Sequence, residues 1–144
     1  MHCRNCIAAD LPALLALYAH LSPEDPPTDL TVAEANLTAL AAYPGSAVLV
    51  GELGSQFVAS CTRIIVPNLS RMGRPYALIE NVVTHGDHRR QGYGTEILRV
   101  AAAGAFERGC YKVMLLTGTR KQSTLDFYLK AGFQQTKTGF QIRA

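Results

Sequence analysis

The sequence predicts an α/β (α+β) fold with a mixed, mostly antiparallel central sheet and helices on both faces. Segments with strand-like apolar patterns alternate along the chain with segments of helical periodicity. In the centre, a strand over 76–83, a glycine turn, a long helix and a buried strand over 112–116 follow one another, which is the order of a βαβ crossover. Before them, runs at 47–51 and 57–66 flank a tight turn and predict an antiparallel hairpin.

The N-terminus is predicted to form a strand over residues 2–7 and then a helix capped by Asp10. This helix must end before the segment 22–27, because three prolines there remove donors and fix φ. Its apolar face consists of Leu11, Leu14, Leu15, Tyr18 and Leu21.

A second helix is predicted to open at a capping box formed by Thr31 and Glu34. Leu37 and Leu40 face the core, and Pro44-Gly45 ends the helix. The hairpin and then the polar loop 67–75 follow.

The second half of the chain adds the long crossover helix, which Gly109 ends as its C′ residue. The segment 123–126 resembles an N-cap and predicts a last helix that Gly132 stops. Residues 133–134 and roughly 138–142 are predicted as closing strands.

Length and composition predict a single domain, 1–144, in the cytoplasm. Hydrophobic residues make up 48% and charged residues 17%, which excludes a disordered chain. The net charge of +3, without any run of Lys or Arg, does not favour a nucleic-acid partner. No apolar run approaches the ~20 residues of a membrane span, so no membrane partner is expected. Cys3-x-x-Cys6 has the spacing of a zinc or redox motif, but no second Cys-x-x-Cys or His-x-x-x-His follows it and it does not precede a redox helix, so no metal is expected.

The glycine turn between strand and helix contains Gly92 and Gly94, preceded by Arg89 and Arg90. Glycines allow close approach of a ligand, and a helix N-terminus offers free N–H groups with partial positive charge. A phosphate or pyrophosphate suits such a turn. The string is neither a P-loop nor a dinucleotide fingerprint, because no G-x-x-x-x-G-K-[ST] occurs and Ile97 replaces the third glycine.

The segment from Ile79 to Val83, followed by Arg89-Arg90-Gln91-Gly92-Tyr93-Gly94, resembles the coenzyme A motif of the GNAT superfamily of N-acetyltransferases. Downstream, Phe127-Tyr128-Leu129-Lys130-Ala131-Gly132-Phe133 is similar to a second segment of that family. The spacing of the two motifs and the order of elements from about residue 2 to 143 also match. The resemblance implies the acyl-CoA N-acyltransferase fold and acetyl-CoA as the acetyl donor.

The resemblance also implies roles for individual residues. Backbone groups of Val82, Val83 and Thr84 would bind the acetyl carbonyl and the pantetheine arm, and Tyr128 would stand near the sulfur. The pyrophosphate would be held by the N–H groups of the loop and helix start: Arg89, Arg90, Gln91, Gly92, Tyr93, Gly94 and Thr95. Many relatives carry Asn at the positions of Lys121 and Thr124, so a cofactor contact from those two residues stays open.

Acetyl transfer to an amine needs a base, an oxyanion donor and an acid. Glu80 is the candidate base, because a carboxylate in an otherwise apolar strand is costly unless it is paired or wet, and burial would favour proton uptake near neutral pH. Period two places Leu78, Glu80 and Val82 on one sheet face. The alternatives are an ion pair of Glu80 with Arg63 or Arg71, or action through a water chain.

Tyr128 is the candidate acid for the leaving thiolate, with a core aromatic as the alternative. Backbone N–H at Val82 or Val83 is the candidate oxyanion donor.

The expected acceptor is a primary amine of a small molecule, attacked directly. Local similarity to the glucosamine-6-phosphate N-acetyltransferase branch makes an amino-sugar phosphate one option, although Asn81 stands where that branch usually has Asp. Another small amine, an amino acid or an antibiotic is equally open. A protein or peptide amine acetyltransferase and a non-catalytic acyl-CoA sensor are the alternatives. A homodimer is possible. The acceptor would be gripped by side chains of the first two helices and the flanking loops: Tyr18, His20, Glu24, Asp25, Asp29, Asn68, Arg71 and Arg74.

Overall fold

The computed structural model describes residues 1–144 and contains one five-stranded sheet in the order β1-β2-β3-β4-β5. All neighbouring strands are antiparallel except β4 and β5, which are parallel. The strands are β1 (His2–Asn5), β2 (Ala47–Leu53), β3 (Gln56–Val66), β4 (Tyr76–Thr84) and β5 (Val113–Leu115). The predicted fold class, with its hairpin and its βαβ crossover, is confirmed.

The helices cover both faces of the sheet, as predicted. They are α1 (Leu11–Tyr18), α2 (Leu30–Ala41), α3 (Tyr93–Phe106) and α4 (Gln122–Lys130). Side chains of α1 and α2 pack with Val48, Val50 and Val83, whereas those of α3 and α4 pack on the other face with Leu49 and Ile79. No helix combines the length and apolarity needed to cross a bilayer.

Three details differ from the sequence predictions. The N-cap of α2 is Asp29, whose carboxylate accepts from the N–H of Thr31 at 2.9 Å, so the predicted capping box at Thr31 is wrong. The last helix begins after Lys121 rather than at Ser123. The segment 133–142 forms no strand, because an alternating pattern becomes a strand only where another strand pairs with it, and this segment has none.

The one buried charged side chain is that of Arg63 on β3, which is 4% exposed. It runs beneath α3, where its Nε donates to the Gly45 carbonyl at 3.1 Å and its Nη1 donates to the Ala101 carbonyl at 3.4 Å. A Cβ atom at Gly104 would lie 2.2 Å from this Nη1. The glycine in the last turn of α3 therefore makes room for a guanidinium.

We expect Gly104→Ala to lower the free energy of unfolding by about 1–3 kcal/mol, because the added methyl overpacks a confined side chain. Glycine to alanine in a helix interior normally raises stability by about 1 kcal/mol, so the sign of the change is diagnostic. Urea denaturation measures it. The control is the double variant that carries both Gly104→Ala and Arg63→Met. In the Arg63→Met background, Gly104→Ala is expected to cause no loss of unfolding free energy. A stabilising Gly104→Ala in the otherwise natural chain would contradict this account.

Candidate active site

The candidate site begins at an irregularity in β4. Ser60 of β3 faces Val83 and Thr62 faces Glu80, so one residue of β3 lies opposite two residues of β4. The extra residue is a β-bulge at Asn81, whose φ is 51°. The bulge reverses the alternation beyond Asn81: Val82 packs with Ile79 against α3, so the predicted shared face of Glu80 and Val82 is wrong.

Beyond the bulge, β4 loses its parallel neighbour. The pairing of β4 with β5 covers only Ala77, Leu78 and Ile79, and β5 ends at Leu115 while β4 continues to Thr84. The backbone groups of residues 80–84 on this side therefore have no strand partner. An extended polar ligand can bind along this edge by β-type hydrogen bonds.

The start of α3 supplies a second set of free donors. Its first backbone bond runs from the N–H of Glu96 to the carbonyl of Gly92 at 2.9 Å, so the N–H groups of residues 93–95 have no intrahelical acceptor. Arg90 and Gly92 in the preceding loop have φ values of 63° and 91°. Free N–H donors at the positive end of a helix dipole can bind a phosphate or pyrophosphate.

The two loop arginines differ in their contacts. Arg89 donates from Nε to the Thr84 carbonyl at 3.3 Å and from Nη2 to the His20 carbonyl at 3.1 Å, which connects the loop to the end of α1. Arg90 is exposed and has no side-chain partner within the protein. Arg90 is thus free to contact an anion, whereas Arg89 holds the loop in place.

Tyr128 lies on α4, half-buried between the rings of Phe127 and Phe133, with centroid distances of 4.9 and 6.4 Å. Burial raises the pKa of its phenol above the usual value, and the negative charge of the Glu80 carboxylate raises it further. The phenol is therefore protonated throughout the physiological pH range and can donate a hydrogen bond.

Glu80 is exposed and makes neither an ion pair nor a side-chain hydrogen bond. The expected burial of this carboxylate is wrong, because the bulge ends regular pairing beside it and opens that part of the strand to solvent. The alternative ion pair with Arg63 is also absent, since Arg63 is beneath α3. Glu80 nevertheless lies close enough to Tyr128 for its charge to act on the phenol.

Sequence reasoning named Tyr18 as an acceptor contact but missed the hydroxyls of Ser60 and Thr62 beside it, on the α1 side of this site. Thr62 lies opposite Glu80, and the Asn81 amide donates to its hydroxyl at 3.5 Å. Burial raises the pKa of Tyr18 at the end of α1, and the neighbouring hydroxyls of Thr62 and Ser60 partly offset that rise. Two hydroxyl side chains two positions apart in a mostly apolar strand were the available signal.

A family model described as the acetyltransferase (GNAT) family matches residues 14–133. The chain belongs to the GNAT family of acetyltransferases. It is an acyltransferase enzyme, and this family uses acetyl-CoA as its acetyl donor.

Individual relatives agree with this membership of the GNAT family. A glucosamine 6-phosphate N-acetyltransferase of Trypanosoma brucei brucei is 31% identical over 128 residues, covering 88% of this chain and 84% of that protein. A solved structure from Agrobacterium tumefaciens str. C58, assigned as an acetyltransferase, is 46% identical, with a TM-score of 0.94 and full coverage of both chains. The glucosamine-6-phosphate N-acetyltransferase of Arabidopsis thaliana has a TM-score of 0.88 at 18% identity, covering 99% of this chain and 97% of that chain, which shows a shared fold alone.

The different contacts of the two arginines give a testable contrast. We expect Arg90→Ala to weaken coenzyme A binding about two- to fivefold, as for other exposed charges at a helix N-terminus, and less at high salt. Arg89→Ala removes a loop anchor, so its effect should persist at high salt and be accompanied by a lower melting temperature. Calorimetric titration at two ionic strengths, with a thermal melt of each variant, measures both. Equal salt dependence of the two variants would refute the distinction.

Proposed function

We propose that this GNAT enzyme transfers the acetyl group of acetyl-CoA to a primary amine of a small molecule by direct attack. The observation that carries the proposal is that two sets of free backbone hydrogen-bond donors follow one another along the site. The unpaired edge of β4 at 80–84 leads towards the free N–H groups at the start of α3. An extended thioester arm followed by a pyrophosphate requires donors in that order.

In this proposal the backbone at Val82, Val83 and Thr84 binds the pantetheine arm and the acetyl carbonyl. The pyrophosphate is bound by the backbone of residues 89–95, with Arg90 adding positive charge. Gly94 allows the start of α3 to lie close against the end of β4, since a Cβ atom there would lie 2.8 Å from the Thr84 hydroxyl oxygen.

The chemical step forms the bond between the amine nitrogen and the acetyl carbon and breaks the bond from that carbon to sulfur. The carbonyl oxygen becomes negative in the tetrahedral intermediate, where the N–H of Val82 or Val83 stabilises it. The amine loses its proton to Glu80, directly or through water, and the exposure of Glu80 lets the proton pass on to solvent. The leaving thiolate takes a proton from Tyr128, which solvent then replaces.

For the acceptor we propose an amino-sugar phosphate. The support is the 31% identity to the trypanosomal glucosamine 6-phosphate enzyme over most of both chains. The hydroxyl of Tyr18 and the exposed amide of Asn81, which itself donates to the buried Thr62, provide hydrogen-bonding groups suited to a polyhydroxylated acceptor beside Glu80.

The test is an acceptor panel with acetyl-CoA, in which free thiol release and product mass are both measured. The panel contains glucosamine 6-phosphate, glucosamine, an aminoglycoside and a lysine peptide. We expect turnover with glucosamine 6-phosphate and a clear loss when its phosphate is removed. Turnover with the lysine peptide but with none of the small amines would contradict the small-molecule assignment. Binding of coenzyme A without thiol release for any amine would favour the sensor alternative.

A further inference from the structure

A groove distinct from the candidate active site lies on the sheet face covered by α3. It has a volume of about 320 Å³ and opens between β1 and the second half of α3. Its lining includes Arg4, Arg63, Gly104, Glu107 and Arg108. The groove is separate from the loop before α3, because about 15 Å of helix lies between Gly94 and Gly104 at the usual rise per residue.

The positive charges in this groove are not balanced. Arg4 is neutralised, since it pairs with Asp10 at 2.8 Å and also with Glu52. Arg63 and Arg108 remain, and neither has a carboxylate within ion-pair distance. The only other charged group lining the groove is the exposed Glu107.

Arg63 is the more unusual of the two arginines. It is nine-tenths buried, yet its hydrogen-bond partners are two backbone carbonyls, which leave further guanidinium donors free. Burial lowers the pKa of Arg63, and the neighbouring charge of Arg108 lowers it further. A buried charge without a counter-ion is costly, and a bound anion would offset that cost.

We propose that this groove binds a small oxoanion, a phosphate ion or a phosphate monoester, between Arg63 and Arg108. The forked donors of guanidinium groups match the oxygens of such an anion. The Nη1 of Arg108 donates to the carbonyl of Gly104 at 2.7 Å, which places its guanidinium beside that of Arg63.

The test uses protein saturated with coenzyme A, so that the loop before α3 is occupied, and it follows Arg63, which lines the groove and not the acceptor site. Inorganic phosphate and methyl phosphate are titrated separately while the Nε–H signals of the arginines are followed by ¹H–¹⁵N NMR. We expect saturable shifts of the Arg63 signal. The ligand that binds more tightly shows whether the groove takes the free phosphate ion or a phosphate monoester.

Arg63→Met should weaken phosphate binding at least about tenfold, as expected for the loss of a charge-assisted bidentate contact. The variant should fold, because an apolar side chain of similar volume usually replaces a buried charge without loss of stability. An affinity for coenzyme A equal to that of the natural chain would show that the Arg63→Met variant is folded. Arg108→Gln should also weaken binding, whereas Arg99→Gln, on α3 but outside the groove, should leave it unchanged. Absence of saturable shifts at millimolar phosphate, or equal affinity in Arg63→Met, would overturn the proposal.

Discussion

Replacing Tyr128 by Phe is expected to lower kcat about a hundredfold, the range for loss of a general acid, while the affinity for acetyl-CoA changes little. The ring is held by Phe127 and Phe133, and Phe keeps those contacts, so only the hydroxyl is lost. Stopped-flow measurement of thiol release and equilibrium binding of coenzyme A separate the two quantities.

The pH dependence adds a second readout for Tyr128. Its pKa is raised by burial and by Glu80, so the phenol keeps its proton above the ordinary value of about 10. The activity that depends on the phenol is therefore present below that value and is lost only as the pH rises through the raised pKa. Transfer to a thiolate of the cysteine kind, with a pKa of about 8.5, is uphill by at least about 2 kcal/mol, and burial beside Glu80 adds to that cost.

The matched control is Tyr43→Phe, which removes a phenol at an exposed position far from the chemistry. It should leave kcat and its pH profile unchanged. If Tyr128→Phe retains the natural kcat, or loses coenzyme A affinity in proportion to kcat, the assignment of Tyr128 as the acid is wrong.

Replacing Gly94 by Ala is expected to weaken acetyl-CoA binding by at least about tenfold, equivalent to about 1.4 kcal/mol. The new Cβ atom would lie 2.8 Å from the Thr84 hydroxyl oxygen and 3.1 Å from the Phe127 ring. Because Gly94 is buried in the first turn of α3 between Thr84 and Phe127, we expect the helix start to move away from β4. The free N–H groups then no longer align with the strand edge, and α4 with Tyr128 is displaced as well.

Gly118→Ala is the control for the glycine replacement, since a Cβ atom at Gly118 meets nothing within 4 Å. That variant should bind coenzyme A like the natural chain. Coenzyme A titration calorimetry on both variants, with a melting curve for each, distinguishes a local effect from unfolding. Unchanged affinity in Gly94→Ala would show that the start of α3 does not hold the cofactor in the proposed way.

Much of the fold follows from local patterns that tertiary contacts reinforce. The hairpin of β2 and β3, the crossover through α3 and the positive φ of Gly92 agree with their sequence signals. The prediction of strands in 133–142 is wrong because strand formation depends on a pairing partner elsewhere in the chain. The cap of α2 moved to Asp29 because two cap-forming residues compete within three positions, and only backbone geometry decides between them.

For the site, the family and its two motifs can be read from the chain alone, because the glycines, the arginines and the tyrosine lie at fixed spacings along it. The environment of each group depends instead on contacts between distant parts of the chain. The bulge at Asn81 turned Val82 to the other face and left Glu80 exposed, which period-two reasoning cannot foresee because a bulge adds one residue to the count. The structure likewise placed Arg63 beneath Gly104, a contact between residues 41 positions apart that no local pattern encodes.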